Sequence, residues 1–496
     1  MLFTSTLFLT RFLPVVLALD WVAEALGRWR ARWALLLLAS LVFYADWRAD
    51  HLPVLLGSVL FNYAVGRRLA APRPGGRALL TFGVAGNLAL LGAFKYTGFL
   101  ALNAAGLLGA AGLLDPHGVR VPEIALPLGI SFFTFTQIAY LVDCAHGRRG
   151  GHGPLEYALF VAFFPHLLAG PIIHHSELIP QFRPARRALG AAVSDAAEGA
   201  ALFALGAAKK LLLADPLAPV ADAAFSAAAT GAALDPGQAW LGALAYTFQL
   251  YFDFSGYSDM AVGLARLFGV RFPANFDSPY KATSITAFWW RWHMTLSRWL
   301  RDYLYVPLGG NRGGEWGRCR NLMLTMLLGG LWHGAHWNFV IWGGLHGAAL
   351  VAAHLARHHL GGAGGVAPPA APLSRLGRGA RAALSWAATF LFVTGAWVFF
   401  RAPTTEAALS MLSAMGRAAV APDPVWPAFA GATGALLGLA AAVAFLAPNS
   451  IAVERALASR RPIGLAAAAV AGAAAAAAVL SALSGPAASP FLYFNF

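Results

Sequence analysis

The chain has 496 residues, of which 58% are hydrophobic and 12% charged, with a mean hydropathy of +0.61; this balance fits a bilayer, not water, as the solvent. Its formal charge of +14 is scattered between apolar windows and not gathered on one soluble face, so it speaks for loop topology and against a nucleic-acid partner. The two cysteines, Cys144 and Cys319, lie far apart and give neither a disulfide framework nor a metal-ligand spacing.

Apolar windows follow one another near 3–19, 33–46, 52–66, 78–94, 97–114, 124–142, 155–170, 198–214, 236–252, 320–342, 343–356, 380–400, 428–447 and 463–483. Each approaches the ~20 residues that a tilted spanning helix needs. The expected fold is all-α: a polytopic integral membrane bundle of about 11–14 transmembrane or re-entrant helices, with interfacial helices beside them. The first window begins without a basic leader and runs into Asp20 and Glu24 with no small-residue cleavage pattern, so it is expected to remain as a helix. Arg28, Arg30 and Arg32 follow it, and Arg67, Arg68, Arg73 and Arg77 follow the third window, whereas Asp46 and Asp50 with only Arg48 lie between the second and third. The positive-inside rule then places the N-terminus outside and the first and third connections in the cytoplasm.

No soluble domain, long linker or clear internal repeat interrupts the pattern. Residues 1–496 read as one membrane-embedded domain, with N-terminal helices at 1–115, an informative core at 124–356 and C-terminal helices at 380–483. Segment 362–373 reads as a loop and segment 464–479 as an alanine-rich helix.

Polar groups stand out against this background, because an ionisable side chain at the bilayer centre costs about 2.5–3.5 kcal/mol on insertion scales and usually faces a protein interior. His174 and His175 are neighbours, point to different faces and read as loop residues. Asp253 and Asp259 sit at the end of an apolar window, where they can orient a histidine, cap a helix starting near Gly256, pair with an arginine or mark the interface. From Thr283 to Val306 the spacing predicts an amphipathic interfacial helix with Trp289, His293, Leu296, Leu300 and Tyr303 on one face and Arg298 within i,i+4 reach of Asp302. An aromatic anchor explains that face equally well, but lipid offers His293 no partner.

Gly309 to Gly314 has the glycine content of a phosphate loop without its Lys-Ser/Thr pair. Arginines 298, 301, 312, 318 and 320 suit either a polyphosphate donor or simple positive-inside topology. Downstream, His333 lies in a lipid-compatible run whose glycines at 329, 330, 334, 343, 344 and 347 let another backbone or a ligand come close. His333, His336 and His346 have no Asp, Glu or Cys on their helix to complete a tetrahedral set, so no metal is expected there.

The segments LPLGISFFTFTQIAYLVDC (126–144), FPHLLAGPIIHHSELIPQF (164–182), YFDFSGYSDMAVGLARLFGVRFPANFDSPY (251–280), the RWH stretch and GLWHGAHWNFVIWGGLHG (330–347) resemble the membrane-bound O-acyltransferase (MBOAT) family. The likeness is greatest to the bacterial branch that includes the alginate O-acetyltransferase membrane subunit, and it covers most of residues 1–350. It implies transfer of an acyl group from a cytoplasmic thioester, acetyl-CoA in the acetylating branch, through a central tunnel to a hydroxyl, with no permanently bound cofactor. The catalytic histidine of the family maps onto His333 and its second polar position onto His293. An imidazole suits proton transfer because its ordinary pKa lies near 6.5. Trp332, Trp337, Asn338 and His346 are then expected to line the cavity, and Arg298 and Arg312 to meet the donor. The implied setting is the bacterial inner membrane, with a polysaccharide acceptor and a periplasmic acetyltransferase as partners. A transporter or flippase component of exopolysaccharide export is the competing class, although the repeat symmetry common in such folds is not visible.

Overall fold

The computed structural model describes residues 1–71, 75–113, 115, 124–148, 152–182, 188–360, 377–417, 429–459, 472 and 489–495; segments 362–373 and 464–479 lie essentially outside these. Every regular element among the described residues is helical: α1 (Leu13–Ala25), α2 (Trp29–Ala45), α3 (Leu52–Leu69), α4 (Gly76–Leu91), α5 (Thr97–Ala110), α6 (Ile130–Ala145), α7 (Pro154–Ala162), α8 (Phe164–Leu167), α9 (His175–Leu178), α10 (Leu189–Ala208), α11 (Asp215–Ala229), α12 (Pro236–Leu267), α13 (Ile285–Trp289), α14 (Met294–Leu300), α15 (Gly314–His333), α16 (Trp337–Leu360), α17 (Arg378–Arg401), α18 (Thr405–Arg417), α19 (Gly431–Leu446) and α20 (Ser450–Ala458). Helices close their own backbone hydrogen bonds, which is what a bilayer demands. Four runs among the described residues are long and apolar enough to cross a membrane: Gly76–Ala110, Leu189–Ala229, Trp337–His358 and Arg378–Arg401; α19 and α20, bent by 55°, add a fifth if taken as one broken span. On α4 and α5, Phe82, Leu88, Leu100, Leu102 and Leu107 are exposed, as side chains facing lipid would be.

Several windows are redrawn. α12 is 32 residues long, about 48 Å at 1.5 Å per residue, so Asp253 and Asp259 stand inside a helix and cap nothing. The break between the windows at 320–342 and 343–356 falls earlier, where Gly334 turns extended after His333 and α16 restarts at Trp337. The interfacial helix expected over 283–306 is not continuous either. Ser284 caps α13 by accepting from the Ala287 N–H at 3.1 Å, and that helix stops at Trp289.

The chain resolves into two compact units: Met1–Phe203 with Met260–Pro273 and Val479–Phe496, and Ala204–Asp259 with Ala274–Ala478. Within the first, buried polar pairs tie the helices, one of the forces left where lipid removes the hydrophobic contrast. Asn62 and Asn87 exchange hydrogen bonds at 3.0 and 2.6 Å between α3 and α4. Arg32 clamps fully buried Asp20 at 2.7 and 2.9 Å and the Phe268 carbonyl at 2.7 Å. Gly129 starts α6 with φ +75°, and a Cβ there would stand 2.7 Å from the Leu167 carbonyl oxygen, so two reasons demand glycine.

In the second unit α15 and α16 pack backbone to backbone. A Cβ on Gly330 would lie 2.2 Å from the Phe339 carbonyl oxygen, and one on Gly343 would lie 2.3 Å from that of Met326. Glycine is therefore what lets the helix bearing His333 lie directly against the next. Gly343→Ala is expected to lower the detergent melting temperature and folded yield, at a cost of about 1–3 kcal/mol. Gly344→Ala, whose methyl would meet Leu327 at an ordinary 3.5 Å, serves as the tolerated control; equal melting of the two variants would contradict this packing.

Candidate active site

His293 sits in the gap between α13 and α14 with φ 42° and ψ 54°, a left-handed conformation that non-glycine residues seldom adopt. Such strain costs about 1–3 kcal/mol and persists only where neighbours fix it. Asn275 does so. Its carbonyl accepts the Met294 N–H at 2.9 Å, while Oδ1 accepts the Thr295 N–H at 3.2 Å and the Thr295 hydroxyl at 2.9 Å, and lies 3.1 Å from His293 Nδ1. The Arg291 carbonyl in turn accepts the Asp277 N–H at 2.9 Å. Because a backbone N–H can only donate, the atom facing Thr295 is oxygen, and His293 Nδ1 must carry the proton. Neutral His293 therefore holds its lone pair on Nε2.

His333 ends α15 and is 4% exposed. Its ring meets Trp332 at 4.9 Å, Trp342 edge-on at 5.1 Å and Phe400 at 5.2 Å. Trp342 stacks on Trp397 at 5.6 Å, Trp397 touches Trp292 at 5.0 Å, Trp292 reaches Phe254 at 6.5 Å, and Phe254 meets His293 edge-on at 4.7 Å. Rings in contact thus connect the two imidazoles without a gap. Trp342 also packs at 4.8 Å on His346, which is fully buried. Aromatic walls keep such a site dry, and low polarity strengthens every hydrogen bond inside it.

The other expected residues divide. Trp332 is buried, whereas Trp337 is 54% exposed at the start of α16. Asn338 donates from Nδ2 to the Ala402 carbonyl at 2.9 Å and accepts the Thr405 hydroxyl at 2.7 Å, so it fastens the α17–α18 connection. Arg312 is exposed and Arg298 half-buried. Asp302 takes Arg301 Nε at 2.7 Å, in place of the expected pairing with Arg298.

Asp253 and Asp259 are held by lysines. Lys210 Nζ lies 2.8 Å from Asp253 and 2.7 Å from Asp215, and Lys209 Nζ lies 2.6 Å from Asp259 and 2.7 Å from Ser450. In the first unit His175 is no loop residue. It opens α9 and is buried, with Nε2 3.3 Å from Asp143 and Nδ1 3.3 Å from His152 Nε2. Among the described residues no group of three or more His, Cys, Asp or Glu side chains could hold a metal ion.

Fold and site together define a multi-pass, all-helical membrane protein with a buried, imidazole-bearing interior. Residues 119–361 match the sequence profile of the membrane-bound O-acyltransferase family. A probable alginate O-acetylase from Azotobacter vinelandii is 44% identical over 424 residues, which cover 84% of this chain and 78% of the relative. Helicobacter pylori peptidoglycan O-acetyltransferase is 42% identical over 445 residues, 84% of this chain and 80% of that protein. A teichoic acid D-alanyltransferase from Streptococcus thermophilus is 30% identical over 238 residues, 45% and 56% of the two chains. The chain belongs to the membrane-bound O-acyltransferase family, and it is an O-acyltransferase.

Two pairs of variants check this assignment of roles. Asn275→Ala deprives His293 and Thr295 of their common acceptor and is expected to cut acyl transfer at least tenfold and to lower the melting temperature. Ser258→Ala, which removes only the outer partner of Asn275 Nδ2 at 3.2 Å, should change both little; wild-type turnover by Asn275→Ala would refute the clamp. Lys210→Met takes the ammonium group away from a carboxylate that is 2% exposed, at an expected cost of about 3–5 kcal/mol. Adding Asp253→Leu should restore most of the melting temperature, as measured on purified protein in detergent.

Proposed function

We propose that this protein is an O-acetyltransferase of the bacterial inner membrane that takes acetyl from acetyl-CoA on the cytoplasmic side. It passes the group through a tunnel in the bundle to a hydroxyl of an extracytoplasmic polysaccharide or of a periplasmic acetyltransferase partner. The named activities of the relatives support acetyl as the acyl group. A single observation carries the chemistry: His333 and His293 are buried in one unbroken aromatic lattice, with the tautomer of His293 fixed by Asn275.

In this reaction the acceptor O–H gives its proton to the His333 imidazole while its oxygen bonds to the thioester carbonyl carbon. The carbonyl π pair moves onto oxygen, then returns as the C–S bond breaks, and the departing thiolate takes the proton from the His333 imidazolium. Acceptor hydroxyl and acetyl-CoA thus become acetyl ester and free coenzyme thiol, with nothing left over. His293, whose accepting nitrogen is Nε2, orients a reactant by taking a hydrogen bond from its O–H or N–H. In the neutral form it has no Nε2 proton to offer an oxyanion. Arg298 and Arg312 meet the donor polyphosphate, as planar guanidinium groups suit phosphate. The dry walls keep water from the thioester.

General-base catalysis by a positioned side chain contributes about 10²–10⁴-fold. His333→Ala is therefore expected to lower release of free coenzyme thiol from acetyl-CoA by at least that range's lower end, while the variant inserts and elutes like the wild type. Undiminished turnover by a well-folded variant would remove His333 from the mechanism.

A further inference from the structure

His346 lies one helical turn beyond Trp342 on α16, and its hydrogen bonding is one-sided. The Trp289 indole N–H donates to His346 Nδ1 at 3.2 Å. An indole nitrogen can only donate, so Nδ1 is the acceptor and the ring proton of neutral His346 sits on Nε2. That Nε2–H is buried and has no protein acceptor among the described residues. A buried donor left unsatisfied costs about 1–3 kcal/mol, a poor arrangement for a residue whose only task is packing. The ring is also centrally placed. It packs on Trp342, whose other contacts include His333 at 5.1 Å. Through Trp289 it is bonded to α13, the helix immediately before the turn that presents His293.

We propose that His346 is a further catalytic residue, whose Nε2–H donates to the acyl carbonyl oxygen of the bound thioester and holds the oxyanion formed there. The inference rests on the acyl-transfer reading above and adds the one group that reading lacks. When the acceptor oxygen adds to the carbonyl carbon, the π pair settles on the carbonyl oxygen, and the hydrogen bond from Nε2 shortens without transfer of its proton. When the C–S bond breaks, the pair returns and the bond relaxes. Trp289 is the positioning residue, since its N–H keeps the proton of His346 on the far nitrogen. Three imidazoles then have three different tasks: His333 takes a proton, His293 accepts a hydrogen bond, and His346 donates one.

The test compares His346→Gln, His346→Asn and His346→Phe in full-length purified protein, with wild type and His333→Ala alongside, by steady-state release of coenzyme thiol from acetyl-CoA with an unacetylated polysaccharide supplied as the hydroxyl acceptor. A glutamine amide reaches roughly the place of Nε2, an asparagine amide only that of Nδ1, and phenylalanine keeps the volume without a donor. Loss of one such donor lowers kcat by about 10²–10³-fold. The expected result is a fall of that size in kcat for Asn and Phe with the KM for acetyl-CoA within about threefold, and at least tenfold recovery by Gln. A Phe variant that melts like the wild type and keeps its kcat would overturn the proposal and leave a packing or water-binding role, with the acyl-transfer reading intact. If Phe fails to fold, Gln no more active than Asn overturns it on its own. Wild-type protein that turns over no thioester would overturn both readings.

Discussion

One asparagine makes the interior of this protein possible. Among lipids a chain can leave the helix only where other protein groups take over its hydrogen bonds, and the chain does leave it at Trp290–His293. Asn275 answers that demand twice, with its backbone carbonyl on the Met294 N–H and its side-chain oxygen on the Thr295 N–H and hydroxyl. Only because those groups are satisfied can His293 occupy a left-handed conformation. The other non-glycine residue with positive φ among the described residues, Ser278, lies three positions on and is held by Asn449 at 3.1 Å. Segment 275–278 is thus a rigid strap, and the polar geometry of the site is referred to it.

The fold class was legible because a bilayer permits so few solutions: long apolar windows with scattered arginines become helices. Window edges were less legible, since hydropathy alone cannot see where a backbone stops being helical. The continuous helix read over 283–306 fails for a local reason. Its apolar residues do recur at spacings of three and four, but the periodicity is carried across a break by a tertiary clamp that lies 18 residues upstream of His293. Glycine told more than hydropathy did. Positions 330, 334, 343 and 347 do bring a neighbouring backbone or ring within contact, whereas positions 329 and 344 meet only side chains at ordinary distance.

Among polar residues, the expense of burial drew attention to His333 and His293, both buried here, and to carboxylates whose partners it could not name. Asp253 and Asp259 look alike in sequence to an orienting carboxylate, and nothing local reveals that adjacent lysines, 209 and 210, claim them from another helix. Asn275 gave no such signal because it carries no charge, and the burial argument rests on ionisable side chains. Its signal lay in the quoted FPANFDSPY stretch, where a polar residue follows proline and alanine in an otherwise aromatic run. His175 shows the same limit from the other side: adjacency to His174 says nothing, while contact with Asp143 and His152 decides its environment.

The distribution of protons also explains why imidazole recurs here when a carboxylate or lysine is equally able to move a proton. A carboxylate buried in this lattice needs a cation beside it, and the second unit spends its buried lysine on doing that for Asp253. Imidazole is neutral at rest, so it can stand among tryptophans uncharged, and each ring offers one accepting and one donating nitrogen. Which of the two is presented is set from behind: by an oxygen acceptor at Nδ1 of His293, and by an indole donor at Nδ1 of His346. Exchanging those two supports would reverse the polarity of both Nε2 atoms without altering either histidine. The sequence therefore encodes the sense of each hydrogen bond in Asn275 and Trp289, one step removed from the imidazoles themselves.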